Sequence, residues 1–272
     1  MKPAPFTYHR ARDVTGAVAL LAELGEDAKY IAGGQSLVAM MNFRLARPAH
    51  LVDLGGLRAE LAYVREGDGV LRLGALTTHH QVESAPLSPD FAVLRDAMSW
   101  IGHLPIRTRG TVGGSLAHGE ATAEWCLLAV LLDAEVVVQG IRGRRTVPAG
   151  ELFLGFFTTA LEPEEMVVEV VFPRPAPHAA LTEFAQRRGD FATVAAAVDL
   201  DAGRVTLGGV APVPLRVPEA EAVLADGGTF AECAEAAAAA VDPPGDGDGG
   251  ADYRRALTRT LLVQACEEAT RR

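Results

Sequence analysis

Cysteine is scarce in this chain. Cys126, Cys233 and Cys266 stand far apart, and no CxxC spacing occurs. A disulfide framework is therefore excluded, as is an iron–sulfur cluster held by this chain alone, which takes four thiolates. Basic charge is short too: 25 Lys and Arg face 35 Asp and Glu, a formal charge of −10. That leaves no basic face for a phosphate backbone, so nucleic acid is not an expected partner. No apolar run reaches the roughly 18 residues that a spanning helix needs. The start, Met1-Lys2-Pro3-Ala4-Pro5-Phe6, has no hydrophobic leader core, so no membrane insertion and a cytoplasmic location are expected. His79, His80, His103 and His118 form neither an HExxH motif nor an i, i+4 pair, and no metal site is expected. Neither Ser36 nor Ser115 sits in G-x-S-x-G, which argues against a nucleophile elbow.

What the chain does have is apolar bulk and glycine. Hydrophobic residues make up 49% and charged residues 22% of 272 positions, a composition that builds a sizeable folded core. Two glycine pairs lie in similar frames: Ala32-Gly33-Gly34-Gln35-Ser36-Leu37 and Thr111-Val112-Gly113-Gly114-Ser115-Leu116. Glycine takes φ > 0 without penalty and can turn successive N–H groups toward one point. A single Gly-Gly pair is usually only a turn. Two such pairs in similar frames predict nests of main-chain N–H groups around a pyrophosphate, hence a dinucleotide cofactor. Neither pair fits GxGxxG or the Walker pattern, which counts against an ordinary NAD-binding βαβ unit or P-loop.

The order of segments predicts an α+β protein in three parts, residues 1–56, 57–173 and 174–272. The first holds a helix over 15–24 stopped by Gly25, a strand over 29–32 entering the first glycine pair, a helical turn over 38–43 and a strand over 51–54. The second opens with a hairpin over 61–64 and 70–73 about Gly67-Asp68-Gly69. Helices follow over 78–84 and 91–101, then a glycine loop over 109–119, a helix over 122–132 and strands over 135–139 and 166–172. Pro173 and Pro175 read as a linker. Strands over 184–186, 193–200 and 204–210, an alanine-rich helix over 231–241, a Pro-Gly-Asp loop over 242–250 and a final helix over 252–268 complete the third. Arg107 and Arg109 offer a cation for a phosphate, or for a carboxylate at an interface. Glu124 is either an acid at a helix N-terminus or an acceptor for ribose hydroxyls, and spacing does not decide. Trp100 and Trp125 read as core.

These residues resemble a known family. Ala32 to Leu37 and Ile106-Arg107-Thr108-Arg109-Gly110-Thr111-Val112-Gly113-Gly114-Ser115 are similar to the FAD-binding medium subunit of molybdenum hydroxylases. That family includes the carbon monoxide dehydrogenase medium chain and the flavin domain of xanthine dehydrogenase. The likeness continues through Phe153-Leu154-Gly155-Phe156-Phe157, Glu164 to Val167, Arg188-Gly189-Asp190-Phe191-Ala192 and Tyr253 to Leu257.

The resemblance implies two FAD-binding subdomains of the vanillyl-alcohol-oxidase type and a smaller C-terminal α+β domain. It implies that the amides of Ala32, Gly33, Gly34, Gln35, Ser36 and Leu37, and those from Thr111 through Gly113 and Gly114 to Ser115, wrap the pyrophosphate, with Ala117 on the same loop. It places the adenosine or ribose contact on Glu124, cofactor-lining positions on Ile101 and Leu161, and the flavin ring near Phe191. Phe191 stands where some relatives carry tyrosine, Ala185 near a relative's lysine, and Gln35 in place of a histidine. No catalytic residue is expected in this chain. The implied assembly is a heterotrimer in which a large subunit holds molybdopterin and a small one [2Fe–2S] clusters, with FAD passing electrons to an external acceptor. A free-standing FAD oxidoreductase and a flavin-free binding module are the rival expectations.

Overall fold

The computed structural model describes residues 1–245, 247 and 249–272; part of the expected loop over 242–250 thus lies outside the described residues. The architecture is α+β, as expected, and rests on three main sheets with helices on their faces. The N-terminal sheet is parallel, with His50–Asp53 between Thr7–Arg10 and Ala28–Ile31. Helix Val14–Leu24 crosses it and buries Val14, Ala17, Val18 and Leu21. Asp13 caps its start by accepting from the Gly16 amide at 2.7 Å, and Gly25 ends it at φ +70°, a positive φ that glycine takes without a β-carbon clash.

The middle sheet is antiparallel, in the order Val64–Gly67, Val70–Gly74, Met166–Phe172, Glu135–Gly140, Gly143–Pro148. Its central strand Met166–Phe172 is nearly all apolar and buried, as a strand covered on both faces must be. Its own Phe172 is fully buried, as are Trp125, Phe91, Leu71 and Leu73 in the same core. The C-terminal sheet runs Ala179–Phe184, Val194–Asp199, Arg204–Gly208, Leu215–Arg216. Helices Phe230–Ala240 and Ala251–Thr270 pack against it over small alanines and two buried thiols, Cys233 and Cys266.

Several expectations shift. The stretch read as a glycine loop over 109–119 contains a helix, Val112–His118, capped by Thr111. The strand expected over 184–186 is Ala179–Phe184, and Leu61 ends a short helix, Arg58–Leu61, rather than opening the hairpin. Strands Thr7–Arg10 and Gly143–Pro148 and helix Pro218–Ala225 were not expected. Nor do Pro173 and Pro175 flank a free tether: Arg174 pairs with the fully buried Asp199 at 2.6 Å, and the Ala176 amide donates to the Asp90 carbonyl at 2.9 Å.

Candidate functional site

The two glycine pairs meet. A β-carbon on Gly33 would collide with the Arg109 carbonyl oxygen and stand 2.8 Å from the Gly110 Cα, so only glycine fits there. One on Gly114 would lie 4.0 Å from the Ala32 Cβ. Strand Ala28–Ile31 and the turn into helix Val112–His118 therefore deliver their small residues to one place.

The turns differ in what they offer. Gly34 takes φ +72°, and the main-chain N–H groups of Ala32, Gly33, Gly34, Gln35, Ser36 and Leu37 find no hydrogen-bond acceptor among the described residues. Six consecutive open donors are unusual for a chain segment only partly exposed, since buried or half-buried amides are normally paired. Gln35 turns its side chain inward and donates from Nε2 to the Gly33 carbonyl at 3.3 Å.

The second turn is closed. Val112 donates to the Thr77 carbonyl, Gly113 to Ala75, Gly114 to the Thr111 hydroxyl and Ser115 to the Thr111 carbonyl, all at 2.9–3.1 Å. The expectation that amides from Thr111 to Ser115 form a second nest is thus corrected for Val112, Gly113, Gly114 and Ser115, whose donors are spent within the fold. Gly113 is needed for packing, because a β-carbon there would press on Ala75 at 2.6 Å. What the second turn presents instead is a smooth exposed strip, Gly114 and Ala117, with the Ser115 hydroxyl beside it and without a partner among the described residues. The Thr111 hydroxyl accepts from Gly114 and keeps its own proton to donate.

Of the two arginines, Arg107 is committed to structure. It donates to Glu83 at 3.0 Å and to the carbonyls of Ile101 and Gly102 at 3.2 and 3.1 Å. Arg109 is exposed and has no partner among the described residues, so it alone remains free to meet an anion. Arg107 instead fixes the turn that carries Ile101. On the far side of that turn Gly189, at φ +89°, packs so closely on Gly102 that a β-carbon would approach its carbonyl carbon to 3.0 Å. This brings the segment bearing exposed Phe191 beside Ile101, with Arg188 over the Trp100 ring at 5.5 Å. Leu161 is half-buried just beyond the small hairpin Phe153–Gly155 and Thr158–Thr159, which closes against Gly119 at the end of helix Val112–His118.

Glu124 opens helix Glu124–Leu131 and is 8% exposed. Burial pushes its carboxyl up, and the charge of Glu183, on the C-terminal sheet, pushes it further. Glu183 is raised by burial as well, and its Oε2 is buried without a partner. A carboxyl held toward its neutral form contributes little as an anion to a helix dipole but both donates and accepts hydrogen bonds. Sequence reasoning missed Glu183, which is one acid among many until folding buries it. It also missed His79. The Trp125 indole donates to His79 Nδ1 at 2.9 Å, and burial together with the Arg107 charge lowers the His79 pKa to about 4. The imidazole is therefore neutral with its proton on Nε2, against which Gly110 packs.

Comparison with known proteins completes the description. Residues 4–175 match the family described as the FAD binding domain in molybdopterin dehydrogenase, and residues 179–269 the CO dehydrogenase flavoprotein C-terminal domain. The 6-hydroxypseudooxynicotine dehydrogenase complex subunit alpha of Paenarthrobacter nicotinovorans is 40% identical, over 100% of this chain and 97% of its own. The carbon monoxide dehydrogenase medium chain of Hydrogenophaga pseudoflava is 36% identical over 99% and 98%. Among solved structures, carbon monoxide dehydrogenase from that organism superposes with a TM-score of 0.94 at 36% identity, covering 100% of this chain and 99% of the other. Quinoline 2-oxidoreductase from Pseudomonas putida 86 gives 0.93 at 33%, with the same coverage.

Proposed function

Because the chain belongs to the family of FAD-binding domains of molybdopterin dehydrogenases, we propose that it is the flavoprotein subunit of a molybdenum hydroxylase complex, carrying electrons from [2Fe–2S] clusters to an external acceptor. The observation that supports this most is the row of open amides from Ala32 to Leu37 set against the small-residue strip of Gly114 and Ala117. Six unpaired donors beside a surface free of bulk fit a pyrophosphate, whose oxygens accept from main-chain N–H groups without any lysine. The Thr111 and Ser115 hydroxyls add donors from the opposite side. Arg109 supplies an open positive charge.

In this reading Glu124 takes the ribose hydroxyls. Ile101, Leu161 and Phe191 line the flavin ring, and Phe191 packs without offering a hydrogen bond. When bound, FAD supplies a centre that takes up electrons singly and gives them up in pairs. The chain's own work is to bind, orient and shield. Arg107 holds the Ile101 turn still, and His79 holds Gly110 from below, so the second turn does not yield when an anion is drawn against the first.

The medium-chain and subunit-alpha relatives favour a chain that works with partner subunits over a free-standing oxidase. A large subunit with molybdopterin and a small one with [2Fe–2S] are the proposed partners, in a heterotrimer. The three cysteines, all buried free thiols, suit the reducing cytoplasm expected from their spacing. The proposed division of the chain is 1–56, 57–173 and 174–272, each span holding one of the three main sheets. The test is to purify the complex and count flavin. One FAD per chain, reduced when substrate is supplied to the complex, is the expected result. A complex that turns over without flavin, or a chain that carries none, would refute the reading.

A further inference from the structure

Directly behind the open amides the surface changes character. From Ala28 to Val52 the chain carries Lys29, Arg44 and Arg47 and no acidic residue, although the whole protein stands at −10. In the same stretch three large apolar side chains face solvent: Val38 at 42%, Phe43 at 62% and Leu45 at 77% exposure. One exposed apolar residue needs no explanation, but three on a single short turn, flanked by charge, have the make-up of an interface.

The turn is held in place. Helix Leu37–Asn42 anchors itself through buried Met41. The Phe43 amide donates to Ala39 at 3.1 Å and the Leu45 amide to Met40 at 2.9 Å. Arg44 adopts φ +60°, a conformation that residues other than glycine rarely take. Its Nε donates to the Lys2 carbonyl at 3.4 Å, and Arg47 Nε donates to the Arg44 carbonyl at 2.9 Å. These contacts spend main-chain acceptors on both arginines, and neither forms an ion pair among the described residues. The apolar groups are thus displayed on an ordered turn whose positive charges await a counter-charge.

We propose that the surface formed by Val38, Phe43, Leu45, Arg44 and Arg47 is where the iron–sulfur subunit docks, through an apolar patch rimmed by carboxylates. The inference rests on the flavoprotein-subunit reading and adds to it a place and a chemistry. Two observations select this occupant. The helix begins at the residue after Ser36, so a partner seated there approaches the end of the cofactor nest, and electron transfer falls steeply with distance. The charge of this stretch is opposite in sign to that of the whole chain, so carboxylates on a partner are drawn to it.

The test uses the complex, expressed with all subunits and purified through a tag on this chain, with iron counted per flavoprotein chain. The double variant Phe43→Asp with Leu45→Asp should bring down at least tenfold less iron while melting like the wild type, since both side chains are exposed. Arg47→Glu, which touches no apolar contact, should slow assembly several-fold at low salt and flatten its salt dependence. Wild-type iron with the double variant would overturn the proposal. So would a double variant that loses only self-association, for then the occupant is a second copy of this chain. Wild-type chain that carries neither flavin nor iron would instead overturn the reading on which the surface rests, and is told apart by that double absence.

Discussion

Gly33 and Arg109 touch through their backbones so tightly that no β-carbon can stand between them. This one contact joins the N-terminal parallel sheet to the turn before helix Val112–His118, and everything proposed for the site depends on it. Gly33→Ala should force the two turns apart. The expected cost is about 1–3 kcal/mol of stability, the usual range for an overpacked site, together with most of the FAD content of the purified complex. Flavin counting and thermal melting on the same preparation check both.

Glu124 and Glu183 make a distinct prediction for pH. Both carboxyls are raised, chiefly by burial, so the folded chain keeps protons that the unfolded chain gives up. Stability should therefore fall as pH rises from the ordinary carboxylate range through the raised folded values. Glu183→Gln removes the buried charge and should flatten that fall, melting higher than the wild type in alkaline buffer and close to it in mild acid. Melting curves in the two buffers decide this. Glu124→Ala, by contrast, should weaken FAD binding by about 1–3 kcal/mol, the cost of leaving a buried hydrogen-bonding group without its partner, read by flavin titration.

The His79–Trp125 pair behaves in the opposite sense. His79 titrates near 4 rather than at its usual 6.5, held down by burial and then by Arg107. Between those values the unfolded chain binds a proton that the folded chain refuses, so stability is full above 6.5 and lost as pH drops toward 4. The loss should approach about 3 kcal/mol. Denaturant unfolding at neutral and acid pH should show this slope in the wild type and a shallower one in His79→Leu.

Arg254 anchors the far end of the site. It is 4% exposed, and its Nη1 donates to the carbonyls of Thr193 and Gly209, the latter at 2.8 Å. Thr193 lies two residues after Phe191, so this buried cation holds one end of the segment facing the proposed flavin. Arg254→Met leaves both carbonyls without that donor and should destabilise the C-terminal part by roughly 3 kcal/mol. Calorimetry would register it as a lower melting temperature. Faster proteolysis within 185–193 would follow.

How much of this was legible beforehand depends on what each residue's signal was. Met166–Phe172 was readable because a run of six apolar residues broken only by Glu169, with Pro163 before it and Pro173 after it, has few other uses. The first glycine pair was readable because Gly34 truly needs φ > 0. The second pair does come up against the first, but the open amides expected of it are not what it offers. Gly113 and Gly114 argue against a helix by propensity, yet Thr111 caps one there and tertiary contacts to Thr77 and Ala75 hold it, so its amides were spent inside the fold. Strands Thr7–Arg10 and Gly143–Pro148 escaped notice because both are polar, exposed edges without the alternation that marks a half-buried strand. Glu183 became chemically distinct only through burial, and His79 only through burial and a bond from Trp125 far along the chain, which no local pattern encodes.

The most direct test is to follow the backbone amides of Ala32 to Leu37 by nuclear magnetic resonance as FAD is added to flavin-depleted protein. The account predicts that these six N–H signals move downfield together, as donors closing on phosphate oxygens do, with far smaller shifts at Val112 to Ser115. If the six stay where they are while FAD binds and the shifts gather elsewhere, the cofactor is not held by this turn and the account is wrong.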